Sequence, residues 1–166
     1  DIDITANRAD ALSHYGVARD LYAWLIQNGY KTSLHRPSCD AFKVDNHDLP
    51  IKVAIENTDA CRRYACLSLT DCEVKESPQW LKDKLNVIGL RPINNIVDIT
   101  NYIMMAYGQP MHCFDADMVK GHHIIFKDKN EGKKFVTLDG EEHILGEHDL
   151  AICNEEDPMC IAGVFG

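Results

Sequence analysis

SPQWLKDKLNVIGLRPINNIVDITNYIMMAYG, residues 77–108, decides the fold class, because it holds two successive helices with their start and stop signals. Ser77-Pro78 opens the first, with serine at the cap and proline at the first helical position. Trp80, Leu81, Leu85 and Ile88 follow at helical spacing, and Gly89 ends the run. The second helix begins soon after Pro92. In it Ile96, Thr100, Ile103 and Tyr107 recur at helical intervals, with Gly108 as the terminator. Asn94-Asn95 is read as its cap.

Outward from this stretch the pattern changes. Upstream, Ser13 caps another helix, in which Val17, Leu21, Trp24 and Leu25 share a face before Gly29. Residues 31–50 are polar, carry Pro37 and Pro50, and predict an irregular excursion. Ile51, Val53 and Ile55 alternate with Lys52, Ala54 and Glu56, which predicts a half-buried strand, and Tyr64 to Thr70 predicts a second. Downstream, Met111 to Phe114 and His122 to Lys127 read as extended. Phe135 to Leu138 and Glu141 to Ile144 form a hairpin around Asp139-Gly140. Leu150 to Cys153 and Met159 to Val164 are short apolar runs suited to buried strands. Strands outnumber helices without regular alternation. The expectation is therefore an α+β fold, a mixed or antiparallel sheet core flanked by helices, in one compound domain over 1–166.

The bulk numbers narrow the function classes. At 166 residues, 45% hydrophobic and 26% charged, the chain can bury one sizeable core. No apolar run approaches the roughly 20 residues needed to cross a bilayer, so no membrane partner is expected. Seven cysteines make an odd count with no Cys-x-x-Cys, which points to reduced thiols in a cytoplasm. Cys61, Cys66 and Cys72 are spaced unlike common structural zinc ligands, and no metal is expected. A net charge of −9 is the wrong sign for gripping nucleic acid by broad phosphate neutralisation, so any RNA must be held with help from partners. The chain starts at Asp1 rather than Met and ends on Ile161 to Gly166 with no polar tail, which suggests a fragment.

Several residues are candidates for chemistry. His112 follows Gly108 and the rigid Pro110. Its imidazole either serves a site, as a donor, base or water-holder near neutral pH, or satisfies a local carbonyl. Asp98, Asn101 and Met105 lie on one helical stripe with Thr100 adjacent. Short polar side chains inside an apolar helix form either a buried network, the commoner outcome, or a ligand-facing edge. His122, His123, His143 and His148 read as surface, as do Lys127, Lys129, Lys133 and Lys134, which are interleaved with acids. Gly163-Val164-Phe165-Gly166 is a Gly-x-x-Gly after an apolar run, either a turn or a place where backbone comes close to a ligand. There is no Gly-x-Ser-x-Gly, metalloprotease helix motif, Walker loop or dinucleotide fingerprint.

A collinear series extends over nearly the whole chain. It runs from Asp3-Ile4-Thr5-Ala6-Asn7-Arg8-Ala9-Asp10, through Gly89-Leu90-Arg91-Pro92-Ile93-Asn94-Asn95, Val97-Asp98, Thr100-Asn101-Tyr102 and Gly108-Gln109-Pro110-Met111-His112, to Leu138-Asp139-Gly140 and Ala162-Gly163-Val164. This series resembles the editing domain of the bacterial phenylalanyl-tRNA synthetase β subunit. The resemblance implies hydrolysis of tyrosine wrongly esterified to phenylalanine tRNA. Thr100, Asn101 and His112 would be the catalytic positions, while Gly163 and Gly166 would border the substrate, and Cys113 and Phe165 would pack. It implies as partners a synthetase α subunit, the remaining β-subunit domains and the tRNA(Phe) 3′ end carrying tyrosine. No cofactor is expected in this domain, and ATP and Mg2+ would act elsewhere in the whole enzyme. One departure stands out: the family's acidic reader of the tyrosine hydroxyl follows the Gly-x-x-Gly, and the chain stops at Gly166. Weak or no hydrolysis is therefore expected of the isolated fragment. The alternatives are a noncatalytic RNA- or protein-docking module and a freestanding trans-editing hydrolase.

Overall fold

Helix signals translate into helices wherever a cap or a left-handed terminator is present. The structure, a computed structural model, describes residues 2–164, and its chain divides into two compact units. The first comprises Asp1–Val44 and Glu73–Cys113, the second Asp45–Cys72 and Phe114–Gly166.

In the first unit, helix α1 spans His14–Gln27, and the Ser13 hydroxyl accepts from Gly16 N at 2.9 Å. Gly29, at φ +79°, lets the chain leave the helix by the left-handed route. Helix α2 spans Gln79–Val87 and helix α3 Asn95–Tyr107, and α3 packs against both of the others. The Asn94 carboxamide caps α3, accepting from Ile96 N and Val97 N at 3.0 Å each, and Gly108 closes it at φ +78°. Leu81 and Leu85 are buried beneath α2, and Trp80 meets Tyr102 edge to face at 5.8 Å.

Two expectations for this unit need correction. Ser77 does not cap α2: Pro78 occupies the cap position, and the serine is buried one residue earlier, engaged with Asp98. A buried carboxylate is a stronger claim on that hydroxyl than an exposed helix start. On α1, Val17 and Leu25 are half-buried, but Leu21 and Trp24 stay exposed, Trp24 stacking on Tyr30 at 6.1 Å.

The second unit holds a four-stranded mixed sheet in the order β1-β2-β5-β6 and the separate hairpin β3-β4. Strand β1 (Lys52–Ile55) runs parallel to β2 (His123–Lys127), pairing Val53 with Ile124. Strands β5 (Ala151–Cys153) and β6 (Pro158–Ile161) continue the sheet antiparallel. Strands β3 (Lys134–Val136) and β4 (Glu142–Ile144) form the expected hairpin, with Phe135 opposite His143. The core gathers Val119, Ile124, Phe126, Phe135, Leu145, Ala151, Ile152, Cys153 and Cys160. Burying this set is the main stabilising term for the unit. Alternation is imperfect in β1, where Ile51 and Ile55 reach the core and Val53 is exposed.

Tyr64 to Thr70 forms no strand. Tyr64 packs on Phe126 with ring centroids 4.4 Å apart, but Leu67 and Leu69 stand exposed, so the apolar alternation there describes an extended segment outside the sheet. Among the described residues, three α-helices and a mixed four-stranded sheet make the fold α+β, as the sequence predicts. No helix of the described residues is long and apolar enough to cross a membrane.

Candidate functional site

Helix α3 carries the polar residues singled out in the sequence, and the structure sorts them into two roles. Asp98 belongs to a structural network. It is fully buried, its Oδ2 accepts from the Ser77 hydroxyl at 2.5 Å, and its Oδ1 accepts from Ile93 N at 2.9 Å. With both oxygens engaged and no exposed surface, this carboxylate is out of reach of a ligand.

Thr100 stands elsewhere on the helix, whereas Asn101, three residues after Asp98, shares the Asp98 stripe about 60° away. At about 100° per residue, Thr100 lies about 200° around α3 from Asp98, on a side shared with Val97 and Met104. Both residues are half-buried. The Thr100 hydroxyl donates to the Val97 carbonyl at 2.7 Å, the back-bond open to a threonine inside a helix. Its proton is thereby committed, and its oxygen can only accept from a ligand. The Asn101 carboxamide makes no side-chain hydrogen bond among the described residues, which leaves it a donor and an acceptor.

His112 follows five residues after the end of α3, in the same unit. The residue retains exposed surface, yet partial burial of its ring holds the imidazole below the ordinary histidine value. Burial disfavours the cation, so near neutral pH the ring keeps one N–H donor and one lone pair.

Gly163 lies in the second unit, in a turn at φ +73° where Val164 N donates to the Ile161 carbonyl at 3.1 Å. A Cβ added to it would meet no atom of the described residues within 4 Å. Gly166 and Phe165 lie outside the described residues. Cys113 is exposed. Among the surface histidines, His122 adopts φ +47°, and His123 is half-buried with Nδ1 at 3.4 Å from Glu155 Oε1. Lys134 pairs with Glu142 across the hairpin at 2.7 Å.

The first unit also holds a cavity of about 510 Å³, lined by His14, Leu85, Tyr102 and Met105 among others. Thr100, Asn101 and His112 are not among the residues that line it. One tie there escapes sequence reading: His14 Nδ1 lies 3.0 Å from the Met105 carbonyl, joining the start of α1 to the last turn of α3. A carbonyl only accepts, so the proton sits on Nδ1. No periodicity signals such a bond.

Residues 60–166 match the B3/4 domain family. Over its full length the chain is 65% identical to the phenylalanine–tRNA ligase β subunit of Bacteroides fragilis, 51% to that of Porphyromonas gingivalis and 40% to that of Carboxydothermus hydrogenoformans. It spans about a fifth of the length of these relatives, 20% in each case.

Proposed function

The chain belongs to the B3/4 domain family, and on that premise we propose that it is the proofreading part of a phenylalanine–tRNA ligase β subunit, hydrolysing the ester of tyrosine wrongly attached to tRNA(Phe). Its similarity along all 166 residues to β subunits of that ligase supports this assignment. The parent would be a cytoplasmic aminoacyl-tRNA synthetase, in which an α subunit, the other β-subunit domains and the tRNA are the partners.

The chemical need is plain. A pocket shaped for phenylalanine cannot strongly reject an analogue that only adds a hydroxyl, whereas a second pocket with a partner for that hydroxyl can select tyrosine. Phenylalanine would leave that partner unpaired.

The observation that carries the mechanism is the division of labour on α3. Asp98 is consumed by structure, while Asn101 keeps its amide and Thr100 keeps an acceptor oxygen. In the proposed reaction Asn101 and Thr100 hold the aminoacyl end, Thr100 by accepting from a donor on it. A neutral His112 holds the terminal ribose or the attacking water. The water oxygen bonds to the ester carbonyl carbon, the bond to the ribose oxygen breaks, and the water's proton passes to that oxygen, giving free tyrosine and tRNA. Positioning and a few donors toward the developing oxyanion are sufficient help for an ester.

The test uses the intact parent complex and tyrosyl-tRNA(Phe). The native complex should release tyrosine while sparing phenylalanyl-tRNA(Phe), and His112→Ala should slow release about 100-fold. Unchanged deacylation in the variant removes His112 from the mechanism. A native complex that leaves the ester intact sinks the editing assignment.

A further inference from the structure

Among the described residues, Asp98 is the only buried carboxylate. A charge withdrawn from water persists only where partners replace the hydration, and its two partners come from two different places in the chain. Ser77 stands just before α2, and Ile93 sits in the connection into α3. The carboxylate therefore fastens one point on α3 to the start of its neighbouring helix and to its own approach. Asn95, one turn earlier, makes a second fastening. Its Nδ2 donates to the Glu73 carbonyl at 2.9 Å, its Oδ1 accepts from Lys75 N at 3.0 Å, and its backbone N donates to the Lys75 carbonyl at 2.8 Å. Together these bonds tie the first turn of α3 to the strip of chain from Glu73 to Ser77.

We propose that Asp98 is a positioning residue for ester hydrolysis: by fastening α3 to Ser77 and Ile93 it sets the rotation and height of the helix, and hence where Thr100 and Asn101 stand. This rests on the editing function proposed above. Asp98 touches no substrate, because it is fully buried and its two oxygens are bonded to Ser77 and Ile93. Its effect is mechanical. A helix that slips by one residue moves about 1.5 Å and turns about 100°, and a misplacement near 1 Å costs on the order of 100-fold in rate.

The experiment follows tyrosyl-tRNA(Phe) deacylation by the intact parent complex, with phenylalanine charging and thermal unfolding measured in parallel. Asp98→Ala should lower kcat for deacylation about 100-fold with KM little changed and charging intact. Asp98→Asn should recover most of the rate. Its oxygen can still accept from Ile93 N, and its amide can donate to a Ser77 hydroxyl turned to accept. Ser77→Ala removes one fastening only, should give an intermediate loss, and serves if Asp98→Ala fails to assemble. Leu85→Ala, a buried change in α2 outside this network, is the control for destabilisation and should deacylate faster than Asp98→Ala. The inference is overturned if Asp98→Ala and Ser77→Ala deacylate like an active native complex, or if Leu85→Ala loses as much rate as Asp98→Ala. A native complex without deacylation is a different failure, since it removes the editing function itself and the positioning role with it.

Discussion

Gly16 passes so close beneath the Asp10 carbonyl that a Cβ on it would stand 2.5 Å from that oxygen and 2.7 Å from Ala11 Cα. Glycine inside a helix ordinarily costs about 0.5–1 kcal/mol relative to alanine, so Gly16→Ala would strengthen an isolated α1. The obstruction here is backbone, which cannot rotate aside. The sign therefore reverses, and Gly16→Ala should destabilise the protein by about 1–3 kcal/mol in denaturant unfolding. An unchanged or raised midpoint would show that the short turn Ala9–Ala11 gives way.

Gly121 makes the contrasting case. A Cβ there would meet Glu155 Cδ at 2.1 Å, but that atom is the end of a flexible side chain with 52% of its surface exposed. Glu155 can swing away, whereas the backbone at φ +73° cannot relax as easily. Gly121→Ala should cost about 1–2 kcal/mol, mostly from the left-handed conformation. Adding Glu155→Ala should return little of it. A double-mutant cycle with a coupling well above about 1 kcal/mol would assign the cost to the side-chain clash instead.

Helix α2 supplies a matched pair. Leu85 is fully buried and Val87, two residues on, is 87% exposed. Leu85→Ala should cost about 2–5 kcal/mol through lost burial and the cavity left behind, and Val87→Ala should stay within about 0.5 kcal/mol. Equal effects in thermal or denaturant unfolding would mean that α2 buries a different face.

The lowered pKa of His112 makes stability depend on pH in a definite direction. Its cause is burial of the ring, and the unfolded chain returns to the ordinary value of 6.5. Between those two values the unfolded chain binds more protons, so this contribution is present above pH 6.5 and is lost as pH falls toward the folded-state pKa. Native protein should therefore lose more stability than His112→Asn on acidification from neutral pH. A difference between the two that stays constant with pH removes the linkage.

Cysteine reactivity should divide by burial. Burial pushes the Cys160 thiol up to about 11, with neighbouring Cys153 adding to it, and burial also raises Cys153. Both lie in the core, whereas Cys39, Cys66, Cys72 and Cys113 are exposed. Since the thiolate is the nucleophile, iodoacetamide at neutral pH should label those four first and reach Cys153 and Cys160 only on unfolding. Early labelling of Cys160 would contradict the packing of β6.

Legibility followed the range of the interaction that decides each feature. Caps and terminators act within four residues, so α1, α3 and their ends at Ser13, Asn94 and Gly108 could be read directly. The hairpin around Asp139-Gly140 is similarly local. Tyr64 to Thr70 has the alternation of a strand, but a strand also needs a neighbour with which to pair, and that is not written in its own residues. The role of Ser77 is hidden from a local reading for the same reason, since its partner Asp98 lies 21 positions away. In the candidate site, Asp98 announced itself as a polar residue in an apolar helix, whereas the bond from Thr100 back to Val97 had no signal beyond the residue type. The functional weight of Asn101 and His112 came from resemblance rather than from spacing.

Among the described residues, strand β1 pairs with a single strand, β2, about seventy positions downstream and beyond all of α2 and α3. On a ribosome, residues 52–55 must wait unpaired while the complete helical unit emerges, and the sheet can close only after residues 123–126 follow. That order favours a helical unit that folds first and a sheet that completes late, with loop closure as its entropic toll. The same interleaving governs dissection: the helical unit needs 1–44 with 73–113 and the sheet unit needs 45–72 with 114–166, so no single cut in the chain yields either one whole and alone.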